Sequence, residues 1–130
     1  MGERRAASSG PGRVARALLE AVFSNDFERA REHCSEDLVM TIEGIQTVRG
    51  HDGLRQLMDF VSEFTAGIRT AIHHVLSAGD TAAINRTAHL TLGERTYTLE
   101  IGAFFTVRDG LVTEWTDYQD AQEVSRALGH

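Results

Sequence analysis

Lysine is absent from this chain, so all 13 residues of its lysine-plus-arginine count are arginines. Against 19 acidic residues they leave a formal net charge of -6, and no basic run occurs. Sequence-independent binding to nucleic acid needs clustered cations to displace counterions, so no nucleic-acid partner is expected. Cys34 is the only cysteine, which excludes an internal disulfide and any zinc site built on paired cysteines. A reducing cytoplasm suits such a chain. No apolar stretch approaches the roughly 20 residues that span a bilayer, so no membrane partner is expected. Met1 to Gly12 also lacks the apolar core of a secretory signal. Arginine without lysine, beside abundant Ala, Gly and Val, points to a GC-rich bacterial genome.

With 130 residues, 42% of them hydrophobic, the chain fits one globular core rather than two. Residues 1–12 read as a disordered tail and residues 13–130 as a single domain. From Arg13 to Ser24, Val14, Ala17, Leu18, Ala21 and Val22 recur at helical spacing with one buried face. A short helix from about Phe27 to His33 follows, then a turn at Ser35-Glu36-Asp37 and a strand from Leu38 to Glu43. Gly50-His51-Asp52-Gly53 opens a third helix, with Leu54, Leu57, Met58, Val61 and Phe64 at helical spacing. The period then changes to that of strands. Ile68 to Ser77, Thr81 to Leu92 and Thr96 to Val107 end at Gly79-Asp80, Gly93-Glu94 and Asp109-Gly110, and short turns imply antiparallel pairing. Ala121 to Leu128 reads as a terminal helix or tail. Helices followed by long antiparallel strands make an α+β arrangement: three N-terminal helices packed in a curved, mostly antiparallel sheet, a cone that encloses a pocket.

Alternation along the last strand sends Trp115, Asp117 and Gln119 to one face and Glu114, Thr116 and Tyr118 to the other. Trp115 argues that its face is buried, which makes Asp117 a carboxylate in apolar surroundings. Such a group is costly unless a cation or hydrogen-bond donors compensate it. Along Thr81 to Leu92, one face collects Ala82, Ile84, Arg86, Ala88 and Leu90. Arg86 keeps its charge in any protein environment and needs an anion. An Arg86 to Asp117 ion pair is the simplest solution to both problems. Two meanings of the pair stay open: a buried salt bridge that closes a polar hole, or an acid/base carboxylate held by its arginine.

The residues Gly79-Asp80, Asn85-Arg86, Ile101 to Val107, Asp109-Gly110 and Trp115-Thr116-Asp117-Tyr118-Gln119-Asp120 resemble the NTF2-like superfamily, in particular its limonene-epoxide hydrolase and SnoaL-like branch. The resemblance runs from about Val14 to Asp120 and implies the cone fold. In the hydrolase pattern, a carboxylate acts as base toward water, and an arginine bridges it to a second acid that protonates the epoxide oxygen. Asp117 matches the base and Arg86 the bridge. The second acid falls on Ala88, and the groups that hold the hydrolytic water fall near Met40 and Ile42. The resemblance thus implies epoxide opening or ring closure on a polyketide- or polyether-like molecule. With those positions apolar no group holds a water, whereas a substrate hydroxyl needs no holder to attack an epoxide or an activated double bond and close a cyclic ether. Proton donors would come from His74, Tyr97, Glu43 or a substrate-bound water.

The expected site therefore has Asp117, Arg86 and His74 in catalytic positions. Met40, Ile42, Ala88, Trp115, Gln119, Phe105 and Leu57 would line a hydrophobic substrate. No cofactor is implied. His73-His74 is not read as a metal site, because adjacent strand residues point to opposite faces and cannot share one ion without a bulge. His74 is placed inward with Ile68, Thr70, Ile72 and Leu76 by simple alternation. Tyr118 faces outward beside Glu114 and Thr116, a pattern that suits a homodimer contact. Ketosteroid-isomerase-like or aldol-type cyclase chemistry is an alternative, although the oxyanion-binding acid of the isomerases would fall near Ala103. A non-catalytic binding protein for a small ligand is the other.

Overall fold

A computed structural model describes residues 10–64 and 68–120. The expectations for residues 1–9 and for Ala121 to Leu128 lie outside the described residues. Among the described residues, three helices, α1 (Pro11–Phe23), α2 (Phe27–Arg31) and α3 (Gly50–Phe64), accompany six strands. These are β1 (Cys34–Ile42), β2 (Gln46–Arg49), β3 (Ile68–Ala78), β4 (Thr81–Leu92), β5 (Arg95–Arg108) and β6 (Leu111–Tyr118). The strands form one curved, unclosed sheet in the order β2-β1-β6-β5-β4-β3.

β3 to β6 form the expected antiparallel meander. Its last hairpin turns at Asp109 and Gly110, with φ of 53° and 79°. Positive φ at both central residues is the type I′ turn that matches the twist of the flanking strands, and Asp-Gly is a sequence that favours it. β1 then joins β6 in parallel, with Met40 beside Trp115 and Ile42 beside Asp117. The short edge strand β2 went unrecognised in the sequence because four residues of mixed polarity carry too little periodicity. Ser35-Glu36-Asp37, expected as a turn, lie within β1 as an irregularity. The β1 to β6 ladder passes from Cys34 opposite Val112 to Val39 opposite Glu114.

The first helix starts at Pro11, inside the segment expected to be a disordered tail. Proline is pre-set for the first helical position, where its missing N–H costs nothing. Gly12 is buried, and its N–H donates to Ser77 Oγ at 2.9 Å. A Cβ at Gly12 would lie 2.7 Å from Ser77 Oγ and 2.8 Å from Val75 Cγ1, so glycine lets α1 approach β3 closely. Asp26 caps α2 by accepting from the Arg29 N–H.

α1 packs on β3, β4 and β5, whereas α3 packs on β1 and β2. The helices thus cover different parts of one sheet face. Buried apolar residues form two clusters. The larger includes Leu18, Leu54, Met40, Phe105 and Trp115, and the smaller holds Ala88, Leu99 and Ile101. The candidate site lies where residues of both clusters meet.

Candidate functional site

Every second residue of β4 from Ala82 to Ala88 is buried, as the alternation predicts, and Arg86 is 2% exposed. Asp117 on β6 is 5% exposed. The two belong to strands separated by β5, so their backbones stand roughly 10 Å apart at ordinary strand spacing. Ala103 occupies the row between Ile84 and Asp117, and its small side chain leaves room for the guanidinium to cross. Arg86 then meets the carboxylate in a fork. Its two terminal nitrogens donate to Oδ1 at 3.3 Å and Oδ2 at 2.8 Å.

Trp115 completes this group. Two residues before Asp117 on the same strand face, its indole Nε1 donates to Oδ1 at 2.7 Å. The tryptophan therefore acts as a hydrogen-bond donor as well as a wall, a role its W-x-D spacing could have signalled. Oδ1 now receives two donors and Oδ2 one. A carboxylate oxygen can accept two hydrogen bonds, so Oδ2 retains one open position. The Arg86 Nε–H is buried and has no partner among the described residues. Phe23 of α1 covers the guanidinium, its ring centroid 5.4 Å from Cζ.

A cavity of about 110 Å³ opens against this group. Met40, Ile42, Leu57, Ala88, Trp115 and Gln119 line it together with Arg86 and Asp117. Its wall also includes Val22, Phe23, Val61 and Ile68, which strand-face arguments on β4 and β6 could not reach. Across from Ala88 on β3 stands Thr70, whose hydroxyl is buried without a partner among the described residues.

Two expected site residues lie elsewhere. His74 is on the outer face, exposed, with its Nδ1 2.8 Å from Asn85 Oδ1. The ladder runs Ile72 opposite Arg86 and then His74 opposite Asn85, a bulge at His73 that reverses the alternation assumed from the sequence. Beyond it Val75 turns inward, and Leu76, also expected inward, is 65% exposed. Phe105 is fully buried but does not line the cavity. It stacks on Trp115 with ring centroids 5.4 Å apart. Of the other proposed proton donors, Glu43 is exposed and reaches Asp117 only through its backbone N–H, and Tyr97 is half-buried outside the cavity lining.

No group of three or more His, Cys, Asp or Glu that could hold a metal occurs among the described residues. No helix is long and apolar enough to cross a membrane among them. The outer sheet face instead carries hydrogen-bonded side chains. His73 Nε2 lies 2.7 Å from Thr87 Oγ1, which donates to Glu100 at 2.9 Å.

Residues 15–115 match the SnoaL-like domain family. The chain is 27% identical over 112 residues to epoxide hydrolase EphG of Mycobacterium tuberculosis, covering 86% of this chain and 74% of that protein. It superposes on a solved LEH-like epoxide hydrolase of M. tuberculosis with a TM-score of 0.79 at 25% identity, over 94% of this chain and 90% of the other. An NTF2-like protein of unknown function from Burkholderia pseudomallei K96243 shares the fold, with a TM-score of 0.83 at 20% identity over 92% and 98% of the two chains. The chain belongs to the SnoaL-like family and has the NTF2-like fold.

Proposed function

We propose that this domain binds a hydrophobic, polyketide-like molecule and closes a cyclic ether by intramolecular opening of an epoxide, with Asp117 as the base. The observation that carries this is the carboxylate itself: buried, oriented by three N–H donors, and left with one open oxygen position where it lines an apolar cavity. The likeness to epoxide hydrolases supports the epoxide as electrophile. Ala88, Met40 and Ile42 favour an internal nucleophile, because they offer no polar atom to hold a hydrolytic water.

The proton balance needs no second acid. Oδ2 of Asp117 takes the proton of the substrate hydroxyl as its oxygen forms a bond to one epoxide carbon. The bond from that carbon to the epoxide oxygen breaks, and the released alkoxide takes a proton. The net change is an isomerisation, so the proton acquired by Asp117 can return to product through solvent. Arg86 holds the carboxylate in place and balances its charge, and Gln119 supplies an amide on the same wall.

The test is incubation with epoxy-alcohols whose hydroxyl can reach the epoxide, with products separated into cyclic ether and diol. Cyclic ether from the wild type and none from Asp117→Asn is expected. Diol as the only enzyme-dependent product would make water the nucleophile and overturn the cyclisation.

A binding protein without turnover is the second reading, favoured by the number of donors that already occupy Asp117. It predicts retention of ligand with no product on long incubation. We also propose that a second copy covers the outer face at Phe104 and Tyr118. These aromatics are 52% and 49% exposed and pack edge to face at 5.9 Å. Sedimentation that shows a monomer in the wild type would overturn this homodimer.

A further inference from the structure

At about 110 Å³ the cavity beside Asp117 is smaller than the roughly 300–1,000 Å³ usual for small-molecule sites. A polyketide-sized substrate must therefore extend out of it. Among the described residues, two clefts share walls with the cavity. One, of about 300 Å³ between α1 and β3, shares Phe23 and Ile68 and carries Arg16, Glu20, Ser24 and Thr70. The other, of about 400 Å³ between β1, β2 and α3, shares Ile42, Leu57 and Val61. Beyond these it is walled by Ile45, Val48 and Phe60, and its only polar lining residues among the described ones are Gln46 and Gln56.

We infer that the β2–α3 groove is a second compartment of the same site and takes an uncharged, apolar arm of the substrate. This rests on the cavity being the place where the reacting end binds. Three shared wall residues set the groove directly against the cavity, and no charged side chain among the described residues lines it. Transfer of an alkyl chain from water into such a groove is favourable in proportion to the area covered. The α1–β3 cleft would instead lay the arm against Arg16 and Glu20, whose charged groups lie 3.7 Å apart. Losing their water without a polar partner in the ligand is unfavourable. The groove thus selects an elongated molecule with its polar functions at one end, and the two glutamine amides can accommodate an ether or carbonyl oxygen along the arm.

The test does not depend on turnover. Trp115, the single tryptophan, lines the cavity, so its emission reports occupancy, and calorimetry supplies the affinity if emission does not change. The probes are hexane-, octane- and decane-1,2-diol, unreactive mimics of an opened epoxide. The dissociation constant is expected to fall about three- to fourfold per methylene. Phe60→Asp should flatten that gain, and Ser24→Asp in the other cleft should leave the whole series unchanged. The compartment is overturned by an absence of chain-length dependence in the wild type, by the same dependence in Phe60→Asp, or by a dependence lost in Ser24→Asp instead. Because the diols cannot react, a failure of the cyclisation test leaves these outcomes intact, and the reverse holds too.

Discussion

Trp115 and Asp117, two residues apart on β6, are joined side chain to side chain by a 2.7 Å hydrogen bond. The indole fills one position on Oδ1 and Arg86 fills its second, which directs the open position to Oδ2. Trp115→Phe keeps an aromatic ring against Phe105 and removes the donor. The loss of a hydrogen bond to a charged group predicts about 2 kcal/mol of destabilisation, read from urea unfolding. A carboxylate free to rotate is also misplaced for proton transfer, so turnover should fall by about tenfold to a hundredfold. An unchanged rate would show that the indole is only wall.

Arg86 and Asp117 allow stability and chemistry to be separated. Asp117→Asn leaves a buried guanidinium without its counter-charge, and breaking such a pair costs about 3–5 kcal/mol, toward the lower end where an amide oxygen still accepts. Replacing both partners with apolar groups of similar volume removes the uncompensated charge. Arg86→Met combined with Asp117→Leu is therefore expected to unfold within about 1 kcal/mol of the wild type and to form no product. If this folded double variant still closes the ring, Asp117 is not the base.

His74→Ala is expected to leave kcat/KM within about twofold of the wild type, since the ring lies on the outer face bonded to Asn85. A large loss would put the histidine back in the chemistry through a partner or a rearrangement of β3.

The contrast between His74 and Asp117 shows what alternation can and cannot deliver. On β4 and β6 the period of two holds through Arg86 and Asp117, so a rule applied residue by residue put both inward and paired them. On β3 a single bulged residue shifts everything after it by one, and nothing in Ile72-His73-His74-Val75 marks that position in advance. The helix spacing that buries Leu54, Leu57 and Met58 was legible for the same local reason. The parallel join of β1 to β6, which brings Met40 and Ile42 beside Trp115 and Asp117, is a long-range pairing that periodicity does not encode; family resemblance placed those two residues in the site without giving the strand pairing. Val22, Phe23 and Ile68 reach the cavity wall only through the packing of α1 and β3 on the sheet.

Burial raises the Cys34 thiol from 9.0 to about 11. Between those values the unfolded chain has lost the thiol proton and the folded chain still holds it, so the folded state binds more protons. Stability must then fall as pH rises through that window, by at most about 3 kcal/mol. Cys34→Ala should show a smaller decline in its denaturation midpoint over the same range. The native thiol should also resist alkylation at neutral pH and react at the rate of unfolding, since the thiolate is the nucleophile. Rapid labelling of the native protein would contradict this.

Ala103 gives the sharpest test of how the site is assembled, because its contribution is the volume it leaves unfilled. It lies in the row between Ile84 and Asp117 and is fully buried. Ala103→Leu adds three carbons in the path of the Arg86 side chain. Overpacking alone costs about 1–3 kcal/mol, and displacement of the guanidinium adds the loss of the ion pair. The two causes separate in a double-mutant cycle on unfolding free energy. In the Arg86→Met, Asp117→Leu background no ion pair remains to break, so Ala103→Leu should cost at least about 1 kcal/mol less than in the wild type. Equal costs in both backgrounds would mean that Ala103 is ordinary core packing and that the arginine reaches Asp117 without needing its small size.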